Sequence, residues 1–323
     1  MKIVKVKKAQ INSKICALSG VNWGLLKKNV SQRKLLDYHK SAANNFSSFY
    51  QAYNLKTSMG YAALKELKWD SNHFKKKMGL VDLKTTSVNS RRKLLAANML
   101  LTSLLKEAEN KKFNHLTLKL DNAFIEEIDT AEHLGFTYKA NLISYLITLK
   151  GLELKNCDTD VLVGRAKKKE SKEIEKIAHD SFSERNIWLD RFHADINLAK
   201  KKSDDLYTKW IRNCLLGREA DIVLSAKVKN KVAGFISAKN DKDIKKYLGL
   251  KIATIPLNAV SKKYRGKGIY KLMVKAILTE YKSKGYDAVI ITTQLATKAV
   301  AKTWLGLGAN IFSSCMVMHK TLR

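Results

Sequence analysis

The 323-residue chain has a single proline, Pro256, only 4 cysteines, and 29 acidic side chains against 61 basic ones. Each scarcity excludes something. Cys16, Cys157, Cys214 and Cys315 are spread over the whole chain without a CxxC pair, so neither a zinc site nor a disulfide framework is indicated. The expectation is a metal-free protein with reduced thiols, as in the cytoplasm. No run approaches the roughly 18 apolar residues that span a bilayer, and "MKIVKVKKAQINSK" lacks the apolar core of an export signal. A soluble cytoplasmic protein is expected.

The shortage of acid leaves a net charge of +32, which attracts phosphorylated small molecules, acidic membrane surfaces or nucleic acid. The alternative is that runs such as Lys75 to Lys77, Lys167 to Lys169 and Lys200 to Lys202 are solvated surface. No RNP motif, zinc finger or aromatic-interleaved basic strand supports sequence-level recognition of nucleic acid. With 45% hydrophobic residues the chain folds, and its length suits two domains.

Apolar spacing predicts a mostly helical stretch over residues 12–68, including "LLDYHKSAANNFSSFYQAY" and "YAALKELKW". "MGLVDLKTTSV", "FNHLTLKL" and "ANLISYLITLKG" read as strands separated by the helices "RRKLLAANMLLTSLLKEAENKK" and "FIEEIDTAEHLGF". "WDSNHF" reads as architecture, with Trp69 and Phe74 in a core and Asp70 or Ser71 as a helix cap. After the polar linker "KGLELKNCDTD" the grammar restarts. "VLVGRA" is a strand, "SKEIEKIAHDSF" and "SDDLYTKWIRNCLLG" are helices, and "ADIVLSAKV" with "KVAGFISAK" forms a hairpin. "LKIATIPLNAV", "YDAVIITTQ" and "SSCMVMHKTL" complete a mixed sheet, with helices from Lys267 and Lys298. The fold class is therefore mixed α/β in two units.

Pro256 stands inside what otherwise reads as a central strand, where it removes a ladder donor. Proline survives there at an edge, a bulge or a break in pairing, so the strand is expected to splay between Pro256 and Asn258. The basic turn Arg265-Gly266-Lys267-Gly268 then opens a helix. Unsatisfied amides and the positive dipole end favour phosphate at such a point. On spacing alone it is either a phosphate cradle or a flexible basic turn; neither a Walker loop nor a complete dinucleotide fingerprint is present.

"PLNAVSKKYRGKGIYKLMVKAIL" followed by "YDAVIITTQ" resembles the coenzyme A motif of the GNAT superfamily of N-acetyltransferases, Q/R-x-x-G-x-G/A. Lysine, Lys263, stands at its first position. "LDRFHADINLAKKKSDDLYTKWIRN", "KVAGFIS" and "TTQLATKAVAKTWLGLGA" resemble successive segments of the TDP-fucosamine acetyltransferase group. "LKWDSNHFKKKMGLVDL" and "HLGFTYKANLISYLI" resemble its incomplete N-terminal copy. The resemblance implies a tandem architecture: a helical extension over 1–60, a degenerate copy over 61–152 and a complete acetyltransferase domain over 158–323.

It also implies acetyl transfer from acetyl-CoA to the amine of a nucleotide-linked amino sugar, in surface glycan synthesis, by a monomer or homodimer. Residues implied for the co-substrate are Leu257, Asn258, Ala259 and Val260 along the splayed strand, then Lys263, Arg265, Gly266, Lys267, Gly268, Ile269 and Tyr270 around the turn, and Thr297. At the position of the family's general acid, a tyrosine, stands Trp304, whose indole N–H cannot act as a proton-transfer acid at ordinary pH. Tyr207, Tyr270, His179 and His193 are alternatives for that proton traffic, and Arg191 is the expected anion contact on the acceptor side. Two rival readings keep a protein or peptide as acceptor, or take Trp304 as the mark of a weakened domain that binds polyanions.

Overall fold

The computed structural model describes residues 1–6, 21, 23–26, 30–43, 45–86, 89–154, 160–184 and 190–322. Cys16, Cys157 and the middle of the expected linker lie outside them.

The first half runs β1 (Lys2–Val6), α1 (Gln32–Ala43), β2 (Ser48–Asn54), β3 (Thr57–Glu66), α2 (Lys68–Phe74), β4 (Met78–Thr85), α3 (Ser90–Asn110), β5 (His115–Asp121), α4 (Ile125–His133) and β6 (Thr137–Thr148). The second runs β7 (Leu162–Arg165), α5 (Ser171–Ser183), α6 (Lys200–Leu215), β8 (Ile222–Val228), β9 (Lys231–Asn240), α7 (Lys242–Leu248), β10 (Ile252–Ile255), β11 (Asn258–Val260), α8 (Ile269–Ser283), β12 (Ala288–Gln294), α9 (Lys298–Leu305) and β13 (Asn310–Thr321). The two halves repeat one plan. Each has an antiparallel hairpin, β2-β3 or β8-β9. Each then sends a strand through a crossover helix to a parallel partner, β4 to β5 or β10 to β12, and ends on a second helix and a long strand.

The halves share one sheet of order β1-β2-β3-β4-β5-β13-β6-β12-β10-β9-β8-β7, with β11 added to β9. Their final strands are interleaved. β13 lies between β5 and β6, with Cys315 opposite Asp121 on one side and Leu142 on the other, and β6 lies between β13 and β12. Separate hydrophobic clusters fill the halves. In the first, Ala97, Leu100, Leu101 and Leu104 of α3 pack on β3 to β5. In the second, Ile269, Met273, Val274 and Ile277 of α8 pack on β8, β9 and β12.

The helical reading of residues 12–68 is corrected over its second part: residues 48–54 and 57–66 form the β2-β3 hairpin, and residues 32–43 alone form the long helix among those described. The physical reason is burial on both faces. Met59 to Leu64 are all buried, so the period-2 alternation that marks a half-buried strand is erased. The described residues among the first 60 thus do not form a purely helical extension; they supply β1, α1, β2 and part of β3. Trp23 reaches the second half and meets Phe312 edge-on, ring centroids 5.4 Å apart. Phe74 is buried as expected, but Trp69 is exposed and stacks on His73. Asp70 lies in the first turn of α2 without capping it.

Candidate active site

β10 and β12 pair in parallel from Ile252 opposite Ala288 to Ile255 opposite Ile291, and there the ladder stops. Pro256 interrupts the strand, and β11 continues along β9 while β12 continues along β6. The splay anticipated at Pro256 is present. Gly234 of β9 permits the close approach of β11: a Cβ there would sit 2.8 Å from the Ala259 carbonyl oxygen.

Hydrogen-bond parity assigns the amides of β11. Ser237 donates to the Leu257 carbonyl and Ser261 to the Ala233 carbonyl, both at 2.9 Å, so odd-numbered residues face β9. In an antiparallel ladder the alternate residues turn their N–H groups away. Asn258 and Val260 therefore present amides to the gap toward β12. The Leu257 N–H is already taken by Ser237 Oγ at 3.0 Å.

At the mouth of the gap, Gly266 and Gly268 have φ of +75° and +73°, and a Cβ on either would meet nothing within 4 Å. Their conformation, rather than packing, calls for glycine. Gly268 begins α8 without a side-chain cap. Among the described residues, the amides from Gly266 to Lys271 find no acceptor. Arg265 differs from the expectation: its amide donates to the Lys262 carbonyl at 3.3 Å, and its guanidinium is held by Glu184 at 2.8 Å and the Val260 carbonyl at 3.1 Å. The free donor set is thus shifted one residue along, to the point where unpaired N–H groups and the helix dipole add.

Turn, gap and strand ends open into one cleft of about 1060 Å³. Most of the residues expected to hold the co-substrate line it: Leu257, Asn258, Ala259 and Val260 on one wall, and Arg265, Gly266, Gly268, Ile269, Tyr270 and Thr297 around the turn and the start of α9. Lys263 and Lys267 do not; their ammonium groups lie over the Tyr264 ring at 5.6 and 5.9 Å.

Trp304 is fully buried in the core and does not line the cleft. Its indole Nε1 donates to the hydroxyl of Tyr270 at 2.9 Å. Tyr270 does line the cleft, and burial pushes its phenol well above the usual range, the Trp304 hydrogen bond offsetting this in part. With its oxygen accepting from Trp304, the Tyr270 O–H is left to donate. The tyrosine and the tryptophan stand 34 positions apart, and neither spacing nor motif couples them in the sequence.

The other residues expected at the acceptor end divide. His179 is exposed beside Asp180. His193 is enclosed away from the cleft, its Nδ1 2.7 Å from Asp190 and its Nε2 3.0 Å from Asp204. Burial lowers its pKa, but the two carboxylates outweigh this and the net shift is upward. With both ring nitrogens engaged it clasps the 190–195 loop to α6. Tyr207 lines the cleft, stacked on Phe182 with centroids 4.0 Å apart. Burial and Asp190, with which its hydroxyl is hydrogen bonded, push its phenol well up. Arg191 lines the cleft as anticipated, lying over Phe192 at 3.9 Å.

A separate buried cluster was not visible in the sequence. His115 Nε2 and His319 Nδ1 each lie 2.8 Å from Asp195 Oδ2, and Asn197 donates to Oδ1 through its backbone and side chain at 2.9 and 3.1 Å. The three ligand atoms lie within 4.8 Å of one another, a spacing that a metal ion could also use, and here they meet through direct hydrogen bonds. The cluster pins β5, β13 and the 190–197 loop together.

The fold these elements define is that of the GCN5-related N-acetyltransferases, in tandem. Residues 180–308 match the model of the Acetyltransferase (GNAT) family. A GCN5-related N-acetyltransferase from Sphaerobacter thermophilus superposes with a TM-score of 0.63 at 10% identity, over 99% of this chain and 96% of its own. A tandem GNAT protein from the clavulanic acid biosynthesis pathway gives 0.52 at 10% identity, over 99% and 98%. The glucosamine N-acetyltransferase region of a fungal multi-domain GH3 β-N-acetylglucosaminidase gives 0.61 at 13% identity, over 99% of this chain and 38% of that one. No curated relative matches the sequence. The family match and the shared fold support an N-acetyltransferase, and acetyl-CoA is the co-substrate of that family.

Proposed function

We propose that the protein transfers an acetyl group from acetyl-CoA to the amine of a nucleotide-linked amino sugar. The observation that carries this reading is the continuity of the cleft: an amide-lined turn at one end, a splayed strand in the middle and an aromatic end bearing Arg191. At about 1060 Å³ it lies at the upper end of the roughly 300–1,000 Å³ typical of small-molecule pockets. Phe182, Tyr207, Trp210 and Phe192 line the acceptor end as a packed aromatic wall, against which a sugar or base can lie, and Arg191 offers a fork to a phosphate.

The residues fit the co-substrate. The amides from Gly266 to Lys271 would hold its diphosphate, and open space above Gly266 and Gly268 admits it. When bound, acetyl-CoA supplies an activated acetyl thioester. The Asn258 and Val260 amides are the donors placed to polarise a carbonyl in the gap. Tyr270 is the proton donor facing it, with Trp304 fixing the hydroxyl's direction, so tryptophan at position 304 does not by itself retire the site.

Incubation with acetyl-CoA and a panel of amino sugars, sugar nucleotides, peptides and polyamines, read by mass spectrometry, tests the reading. One added acetyl group on a sugar nucleotide is expected. Acetylation of peptides alone would reassign the acceptor, and absence of acetyl-CoA binding by calorimetry would remove the enzyme reading altogether.

A further inference from the structure

The cleft floor does not end with the second half of the chain. β6 carries Ala140 and Leu142 into it, and beyond β6 and the inserted β13 the first half's β5 contributes Lys119. Lys119 lines the cleft with its side chain exposed to it, two residues along β5 from Thr117, which Arg191 contacts. Among the described residues its ammonium makes no hydrogen bond and no ion pair within 4 Å.

Its neighbour Arg191 is scarcely better neutralised. The guanidinium stacks on Phe192, lies 3.7 Å from Asp70 Oδ2, and donates a long 3.4 Å bond to Thr117 Oγ1. Burial raises the Asp70 pKa, and Arg191 and Lys119 pull it back down. The Lys119 pKa is lowered, first by burial and then by Arg191, with Cys315 and Asp70 offsetting only part. Two cations lining one cleft with Asp70 as the nearby carboxylate repel each other, and an oxyanion between them would relieve that repulsion. Among the described residues no carboxylate pairs with Lys119 within 4 Å.

We propose that Lys119 and Arg191 form an anion-binding subsite at the acceptor end of the cleft, built by both halves of the chain, which takes a phosphoryl or carboxylate group carried by the acceptor. The inference rests on the acetyltransferase reading for what the acceptor is, but not for whether the anion binds. Its occupant enters beside the aromatic wall and leaves the amine directed toward the β11 gap. The first half of the chain is then part of the substrate site and not only a scaffold.

The direct test needs no turnover. Inorganic pyrophosphate and malonate, one phosphoryl and one carboxylate probe, are titrated calorimetrically into Gly266→Glu protein, whose coenzyme A cradle is blocked, with and without Lys119→Gln. Binding weakened about tenfold or more by Lys119→Gln and restored by Lys119→Arg is expected, and the stronger probe identifies the group. Absence of binding to Gly266→Glu protein, or equal binding with Lys119→Gln, would overturn the subsite even if acetyl-CoA binds normally to the wild type. In turnover assays Lys119→Gln should raise KM about tenfold for glucosamine 1-phosphate or muramic acid, leaving kcat and the KM of uncharged glucosamine near wild type. An equal loss with all three, or a loss confined to kcat, would make Lys119 structural or a base instead.

Discussion

The two halves of the chain carry the same sequence of strands and helices, yet only one keeps an open gap. In both, the parallel strands part after four paired residues: Ile255 opposite Ile291 in the second half, Val81 opposite Leu118 in the first. In the first half β4 runs on unbroken to Thr85, and the divergence is filled from within. Glu127 of α4 is fully buried and hydrogen bonded to Thr85. Lys93 of α3 pairs with Glu126 at 2.9 Å and with Glu127 at 3.5 Å. The start of α3 is capped by Asn89, which accepts from the Arg92 amide at 3.0 Å, where α8 starts on Gly268 with no cap. A helix N-terminus is an anion site only while its amides remain unspent. The first half spends the Arg92 amide on Asn89, and the second starts α8 with no side-chain cap.

The largest expected effect breaks this contrast at the turn. Gly266→Glu or Gly268→Glu should weaken acetyl-CoA binding at least about a hundredfold by calorimetry, since both sites need positive φ and open space. Stoichiometry in the wild type should be one acetyl-CoA per chain, with none at the first half.

Next comes proton donation. Tyr270→Phe should lower kcat by about 10²- to 10⁴-fold, the usual range for general acid catalysis, with little change in acetyl-CoA affinity. Trp304→Phe removes the orienting hydrogen bond and leaves a smaller cavity than alanine would, and should lower kcat less than Tyr270→Phe. Phenylalanine is chosen because truncating a buried tryptophan to alanine typically costs about 3–5 kcal/mol and would confuse unfolding with catalysis. A kcat unaffected by Tyr270→Phe would place the acid elsewhere.

The joint between the halves should show in acid. Burial lowers the His319 pKa to about 4, Asp195 opposing this and His115 adding to it. Its folded value lies below the unfolded value of about 6.5, so between these limits the unfolded state binds more protons. Stability should therefore fall as pH drops through that window, by an amount on the order of 3 kcal/mol from this group. The Asp195 carboxyl, held far down by its two histidines and Asn197 against the effect of burial, adds a further loss below about pH 4. Denaturant melts at pH 7 and pH 4.5 measure this, and His319→Gln should flatten the acid limb.

The smallest effect is at the filled gap. Glu127→Ala should cost about 1–3 kcal/mol by leaving Thr85 and Lys93 without their buried partner, and should leave acetyl-CoA stoichiometry unchanged. A second bound acetyl-CoA in that variant would mean that filling alone separates the halves.

Features that depend on near neighbours in the chain were legible in the sequence. One proline in an apolar run announced the strand splay, and two glycines before an amphipathic run announced the helix that begins at Ile269. The β2-β3 hairpin was not legible, because burial on both faces leaves no alternation to read. The partnership of Trp304 with Tyr270 and that of Lys119 with Arg191 join residues 34 and 72 positions apart on different elements. Only the insertion of β13 beside β5, and of β6 beside β12, brings Lys119 to the same cavity as the glycine turn.

That interleaving bears on how the chain is made. β5 gains its second neighbour only when residues 310–321 arrive, so the first half emerging from a ribosome exposes an open sheet edge until that strand has been made. Such an edge invites pairing with other chains, and contacts this distant in sequence slow folding. The two halves should consequently unfold in a single transition, and neither expressed alone should yield a monomeric, protease-resistant product.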